Sequence, residues 1–319
     1  MALCVQLSSV ALLASPSTAA VPKFETPTAL VSWITSYRKS PDLDAVPAAV
    51  QAMSRLGLFK DSQTAAFYIG FLGGVIGDNQ VAAPKLIDDF FPLPPSQQAV
   101  VIKAIAYSGL PDWQQLLRQF AGHMPARKVL LSKYLYGKAE TLKTVPLDNG
   151  NAVVDTLWGA YFATGSYEPV LRIIDALKWA DMRTTVQRPV IAHMAKVTLA
   201  ANGAVDESLL ALYHVQLPHV RASAAPHLRE VVQAIEAFET HKIREGAQAT
   251  IRDLRARGPV QAPSAWATAD QVGQTVLAVG CVVAGALGHV EIAAPCVITG
   301  AVYSGVSKLL KFRSQSTTQ

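Results

Sequence analysis

Seven histidines, three cysteines and one adjacent pair of aspartates are the side chains here whose types could do chemistry. Zinc ligation from one helix wants two histidines four apart, and thiolate ligation wants cysteines closely paired. His123, His193, His214, His219, His227, His241 and His289 contain no such pair. His214 and His219 are five apart, which turns them more than a quarter turn off a shared helix face. Cys4, Cys281 and Cys296 have no metal-binding spacing. The expectation is ordinary histidines, no metal and no cofactor. Gly70 to Gly77 reads GFLGGVIG, without the Lys-Ser/Thr of a phosphate loop or a strand pattern before it. Those glycines are expected to let helices pack closely. Asp88 and Asp89 are adjacent, so they point to different helix faces and make a poor acid/base pair. Ser166 follows Gly165 but lacks the flanking glycines of a nucleophile elbow. No catalytic residue is nominated, and the protein is not expected to be an enzyme.

The elements that would carry any site are helical. Between Pro27 and Gly258, apolar residues recur at three and four, as at Ile102, Ile105 and Ala106 or at Val170, Ile173, Ile174 and Leu177. Turn signals fall at Ser40-Pro41, Pro92 to Pro95, Gly109 to Pro111, Met124-Pro125, Val145 to Gly150, Gly203 and Gly258-Pro259. No alternating strand run is present. The expected fold class is all-α, with ten or so helices mostly 10 to 20 residues long. Residues 26–222 form the body, and 224–258 is expected to be one long amphipathic helix, kinked if anywhere at Gly246. Its stripe is Leu228, Val231, Ile235, Phe238, Ile243, Ile251 and Leu254. The stretch 259–269 (PVQAPSAWATA) reads as a linker and the best domain boundary.

The chain has 319 residues, half of them hydrophobic, 16% charged, with a net charge of +5. Disordered chains are charge-rich and apolar-poor, so that class is excluded; three cysteines exclude a disulfide-dense scaffold. The basic cluster Arg252, Arg255 and Arg257 lacks interleaved aromatics and reads as a solvated helix face, so no nucleic-acid partner is expected.

The two ends carry location signals. Residues 1–20 (MALCVQLSSVALLASPSTAA) resemble a secretory signal peptide, although no Lys or Arg precedes the apolar run. From Val272 to Val306 there is no Lys, Arg or Asp, and His289 and Glu291 are the groups both titratable and strongly polar. Residues 270–312 read as a Gly/Ala-rich hairpin of two short helices, each about 15 residues against the about 20 of a straight bilayer span. Gly280, Ala284 and Gly288 supply small residues four apart for close packing. Three readings stand for this hairpin: inserted in a membrane, buried in the protein, or inserted after a conformational change. Cys281 and Cys296 lie at similar distances either side of Gly288, so they are either a disulfide or two apolar core thiols. The positive-inside rule puts the basic flanks in the cytoplasm, whereas a signal peptide puts them outside. The expected location is the exported or envelope compartment, associated with a membrane.

Two blocks look alike. Phe67 to Phe90 and Leu157 to Lys178 each read as an apolar helix, a Gly-polar turn and a second apolar helix with an Ile-Asp pair. Leu157, Tyr161, Gly165, Tyr167 and Ile174 resemble the spacing of a tetratricopeptide repeat over about one unit. Trp158 departs from it where that repeat has a small residue, Val170 replaces the usual Ala, and no closing Pro follows. The resemblance implies a stacked helix-pair scaffold whose concave face binds a protein or peptide. Trp158, Tyr161 and Tyr167 are then the candidate partner-binding residues. The expected function is a non-catalytic envelope scaffold for a protein or peptide partner. The alternatives are a membrane-inserting or membrane-perturbing protein, and an enzyme on an α/α framework with its site assembled from distant helices.

Overall fold

A computed structural model describes residues 24–257. The signal peptide over 1–20, the linker 259–269 and the hairpin 270–312 with Cys281 and Cys296 lie outside the described residues. Among those described, the chain is all-α, as its periodicity implies. The helices are α1 (Pro27–Tyr37), α2 (Val46–Arg55), α3 (Thr64–Asp78), α4 (Ala83–Asp88), α5 (Ala99–Tyr107), α6 (Trp113–Phe120), α7 (Lys128–Tyr136), α8 (Asn151–Thr164), α9 (Glu168–Ala176), α10 (Gln187–Gly203), α11 (Glu207–Gln216), α12 (Ala225–Glu236) and α13 (Thr240–Arg257). They run from 6 to 18 residues, so there are more of them, and shorter ones, than the pattern suggested. Local chemistry sets many of the ends. Thr26 accepts a hydrogen bond from the Ala29 N–H at the start of α1, and a proline occupies the first turn of α1, α2, α4, α9 and α12. Gly165 ends α8 in the left-handed conformation, at φ 71°.

At the centre, α3 and α8 make the most extensive helix–helix contact. Both helices are buried on nearly every side, so each is surrounded rather than laid on a surface. Ala65 to Ile76 of α3 and Val153 to Ala163 of α8 are all buried. The glycines set the separation. A Cβ added at Gly70 would lie 1.9 Å from the Thr156 carbonyl oxygen, and one at Gly159 would lie 2.0 Å from that of Phe67. Gly73 and Gly77 serve a second neighbour: Cβ atoms there would meet the Ala104 carbonyl oxygen at 3.2 Å and that of Ser108 at 2.1 Å. The GFLGGVIG run thus provides two smooth stripes, one for α8 and one for the end of α5. α8 also packs on α9 across the Gly165 turn. The central pair, however, joins helices separated by residues 79–150, whereas stacked helix pairs place each helix beside its neighbour in sequence.

The single long helix expected over 224–258 is two helices. The chain reverses at Phe238, which adopts φ 56° and is 92% exposed. The Glu239 N–H bonds to the Ala234 carbonyl and the Phe238 N–H to that of Ile235. This is the Schellman arrangement, with Phe in the left-handed place that glycine usually holds. At Gly246 α13 continues as helix. The reversal has a packing reason. α12 buries Leu228, Val231 and Ile235, and α13 buries Ile243, Ala247 and Ile251. Both helices pack on α10, which one straight helix of that length would not achieve.

Candidate functional site

Of the three aromatics nominated from the sequence as partner-binding, two are buried. Trp158 and Tyr161 are 0% exposed, and only Tyr167, at 40%, reaches solvent. Trp158 stacks on Phe162 with ring centroids 6.0 Å apart, and Tyr167 stacks on Tyr161 at 6.3 Å. α8 has α1, α3, α9 and α10 packed around it, so the Trp158 and Tyr161 rings fill the core.

The Tyr161 hydroxyl has a structural task instead. It donates to Asp206 Oδ2 at 2.8 Å, and Arg38 at the end of α1 pairs with the same oxygen. Asp206 Oδ1 accepts from the Ser208 hydroxyl at 2.5 Å and the Ser208 N–H at 3.2 Å, which caps α11. The Arg38 guanidinium lies 4.9 Å from the centre of the Tyr161 ring. Burial tends to raise the Asp206 carboxyl, but the bonds from Ser208 and Tyr161 and the charge of Arg38 outweigh it and hold it below its ordinary value. This network fastens α1 and α8 to the start of α11. Arg38 and Asp206 also line a recess of about 250 Å³ with Ser36, Lys39 and Val205.

A second polar cluster lies between α10 and α12. His227 Nε2 is 2.9 Å from Asp181 Oδ2, and Lys196 pairs with Glu230. His193 is buried beside them, and its Nδ1 has no partner. Burial first, then the charges of Lys196 and His227, push its imidazole down to about 4, so it is neutral at pH 7. Among the described residues no three His, Cys, Asp or Glu side chains are placed to hold a metal ion.

Asp155 in α8 is the deepest carboxyl, 2% exposed, with neither oxygen hydrogen-bonded. Burial, which disfavours the charged form, raises it well above the ordinary carboxylate range. An acid with a raised folded pKa stabilises least above the unfolded value near 4, because unfolding then releases the proton. Asp155→Val is therefore expected to stabilise the fold by about 2 kcal/mol at pH 7, the usual cost of an unbonded buried polar group. The gain should shrink below about pH 4. Urea unfolding at pH 7 and pH 3 measures both, and a destabilised variant at pH 7 would refute the reading.

A cleft of about 350 Å³ opens between α3, the α5–α6 turn, residues 141–143, α8 and α9. Leu110, Trp113, Leu142 and Leu157 contribute apolar wall, and Asp78, Lys143 and Glu168 contribute charge. Gly109, at φ 77°, makes the turn that opens one side. The hydroxyls lining it are already engaged. Ser108 donates to the Ile105 carbonyl at 2.7 Å, and Thr164 donates to that of Ala160 at 3.0 Å while accepting from the Ser166 N–H. Arg172 spends its guanidinium on the Leu142 and Val145 carbonyls and so fixes that wall. No hydroxyl here is hydrogen-bonded to a histidine or carboxylate that could activate it, which nucleophilic catalysis requires. The arrangement suits apolar contact with charged edges. Five separate segments build it, so no local pattern reveals it; only the Gly109-Leu110-Pro111 turn is visible in the sequence. Set against protein-family models, curated proteins and solved structures, the chain matches none.

Proposed function

We propose that this chain is a non-catalytic helical scaffold that holds a peptide segment of a protein partner in the cleft beside Trp113 and Leu142. The observation that carries the reading is the combination of apolar walls with hydroxyl and guanidinium groups already committed to backbone. The volume, about 350 Å³, is at the lower end of the about 300–1,000 Å³ of ligand pockets. That suits a few side chains of a peptide rather than an extended cofactor. The composition of residues 272–306 supports a tether to a membrane of the cell envelope, the apolar stretch being free of Lys, Arg and Asp. Among the described residues, no helix is long and apolar enough to cross a membrane.

The test is a random 12-residue peptide library selected on the full-length protein, with the recovered peptides titrated by fluorescence anisotropy. Leu142→Asp and Lys143→Asp are expected to weaken them about tenfold, the loss of one apolar or charged contact of about 1.4 kcal/mol. Lys143 is exposed on a loop, so the melting temperature of Lys143→Asp should hold, whereas Leu142 is half-buried against the core, so Leu142→Asp should melt lower. Recovery of no peptide, or equal binding by the variants, would sink the cleft as the binding site. Carbonate-washed membranes should retain the full-length chain and release one ended at Gly258.

A further inference from the structure

Helix α7 is sorted by side. Leu131, Tyr134 and Leu135 are buried, packed toward α5 and α6. Lys128, Val129, Ser132, Lys133 and Tyr136 are exposed. At 100° per residue, these five fall within one arc of about 140°, with Val129 and Tyr136 near its middle and a lysine on each flank. Val129 is 88% exposed and Tyr136 is 78% exposed. A soluble surface gains nothing from an outward valine and tyrosine placed together between cations.

The charge around them is unbalanced. α7 contains no carboxylate. Lys103 on α5 is partly buried and near enough to Lys133 to feel its charge; burial first, and then Lys133, hold its ammonium below the ordinary lysine range. No ion pair among the described residues uses Lys103, Lys128 or Lys133. Glu140, four residues beyond the helix, is held by the Asn149 amide at 3.2 Å. Two like charges left side by side favour an anionic partner, which relieves their repulsion.

We propose that the outer face of α7 docks on an anionic lipid bilayer, with Lys128 and Lys133 over lipid phosphates and Val129 and Tyr136 pressed into the interface. Apolar side chains flanked by lysines are the arrangement of helices that lie in a membrane surface. A tyrosine ring suits the headgroup level, where one end is apolar and the other wet. A nucleic acid would reward the lysines and the Tyr136 ring but would leave Val129 against phosphate or water. The choice of a bilayer rests on the envelope reading above; the α7 face itself does not depend on residues 272–306.

The experiment is co-flotation of the full-length chain with vesicles of phosphatidylcholine alone or containing phosphatidylglycerol, at low and high salt. The wild type should bind the anionic vesicles more tightly, and the excess should fall with salt. Each lysine near an anionic surface is worth about 1 kcal/mol, so Lys128→Ala/Lys133→Ala should lose roughly 30-fold on anionic vesicles. Val129→Ser/Tyr136→Ser should weaken binding with every charge retained. All four side chains face outward, so both double variants should melt as the wild type does. Equal binding to neutral vesicles, or anionic binding unchanged in either variant, overturns the proposal. So does a single-stranded RNA that binds as tightly and displaces the vesicles. Binding to neutral vesicles that persists in both variants would leave the tether standing while removing α7. Anionic binding lost in the variants would support α7 even if a chain ended at Gly258 were not released from membranes.

Discussion

Gly159→Ala is expected to destabilise the fold by about 3 kcal/mol or more, although alanine is the better helix former by about 1 kcal/mol. The added Cβ would lie 2.0 Å from the Phe67 carbonyl oxygen and 2.7 Å from the Phe71 nitrogen. Both are backbone atoms, so no rotamer change makes room, and α3 must move away from α8. Gly70→Ala meets the same problem from the other side, against the Thr156 carbonyl oxygen at 1.9 Å. Parting the two helices by an ångström forfeits much of the dispersion attraction along the most extensive contact of the core. Domains of this kind are stable by only about 5–15 kcal/mol, so the urea midpoint should fall visibly. Gly246→Ala supplies the contrast. It lies within α13 with nothing inside 4 Å of the added carbon, so it should gain about 0.5–1 kcal/mol. A Gly159→Ala protein as stable as Gly246→Ala would mean that the close approach is not what holds α3 to α8.

Asp206→Ala is expected to cost about 3–5 kcal/mol, the range for breaking a largely buried pair by deleting one member. The Arg38 and Asp206 side chains are 16% and 14% exposed, so solvent screens little of the interaction. The variant strands the Arg38 charge, removes the acceptor of the Tyr161 hydroxyl and uncaps α11. The pH dependence has a definite sign. The folded pKa of Asp206 lies below its unfolded value near 3.9, so its contribution is complete above about pH 4 and is lost as pH falls through the folded value. Tyr161 works at the other end of the scale. Burial first, with Asp206 adding to it, lifts its hydroxyl above the ordinary tyrosine value, so its contribution is complete below about pH 10 and fails above it. Thermal melts of wild type, Asp206→Ala and Asp206→Asn from pH 3 to pH 8 would show the gap closing on the acid side. A gap independent of pH, or none at pH 7, would contradict the assignment.

The fold class was legible because helical periodicity is local. So were the glycines of α3, whose spacing of three and four suits close packing, and the stripes of α12 and α13, except at Phe238, which is exposed. Trp158 and Tyr161 were misread for a physical reason: a helix that is apolar all round has no preferred face, so its pattern cannot separate core from groove. The break at Phe238 left no trace because its Schellman turn lacks the customary glycine. Arg38 and Asp206 are 168 residues apart in sequence, and no spacing rule links residues at that distance. The cleft was hidden for the same reason, being assembled from five segments. The exposure of Val129 and Tyr136 was likewise decided by which side of α7 its neighbours cover.

The pairing of α3 with α8 also imposes an order of events while the chain is being made. α3 is complete at Asp78, but its partner starts only at Asn151, after 72 intervening residues. At about 5–20 residues per second, the ribosome needs roughly 4–14 s to supply it. During that interval a fifteen-residue helix with twelve residues destined for the interior has only its earlier neighbours and α4 to α7 for cover. Such a segment is the natural place for a chaperone to hold the nascent chain, and for aggregation to begin when none does.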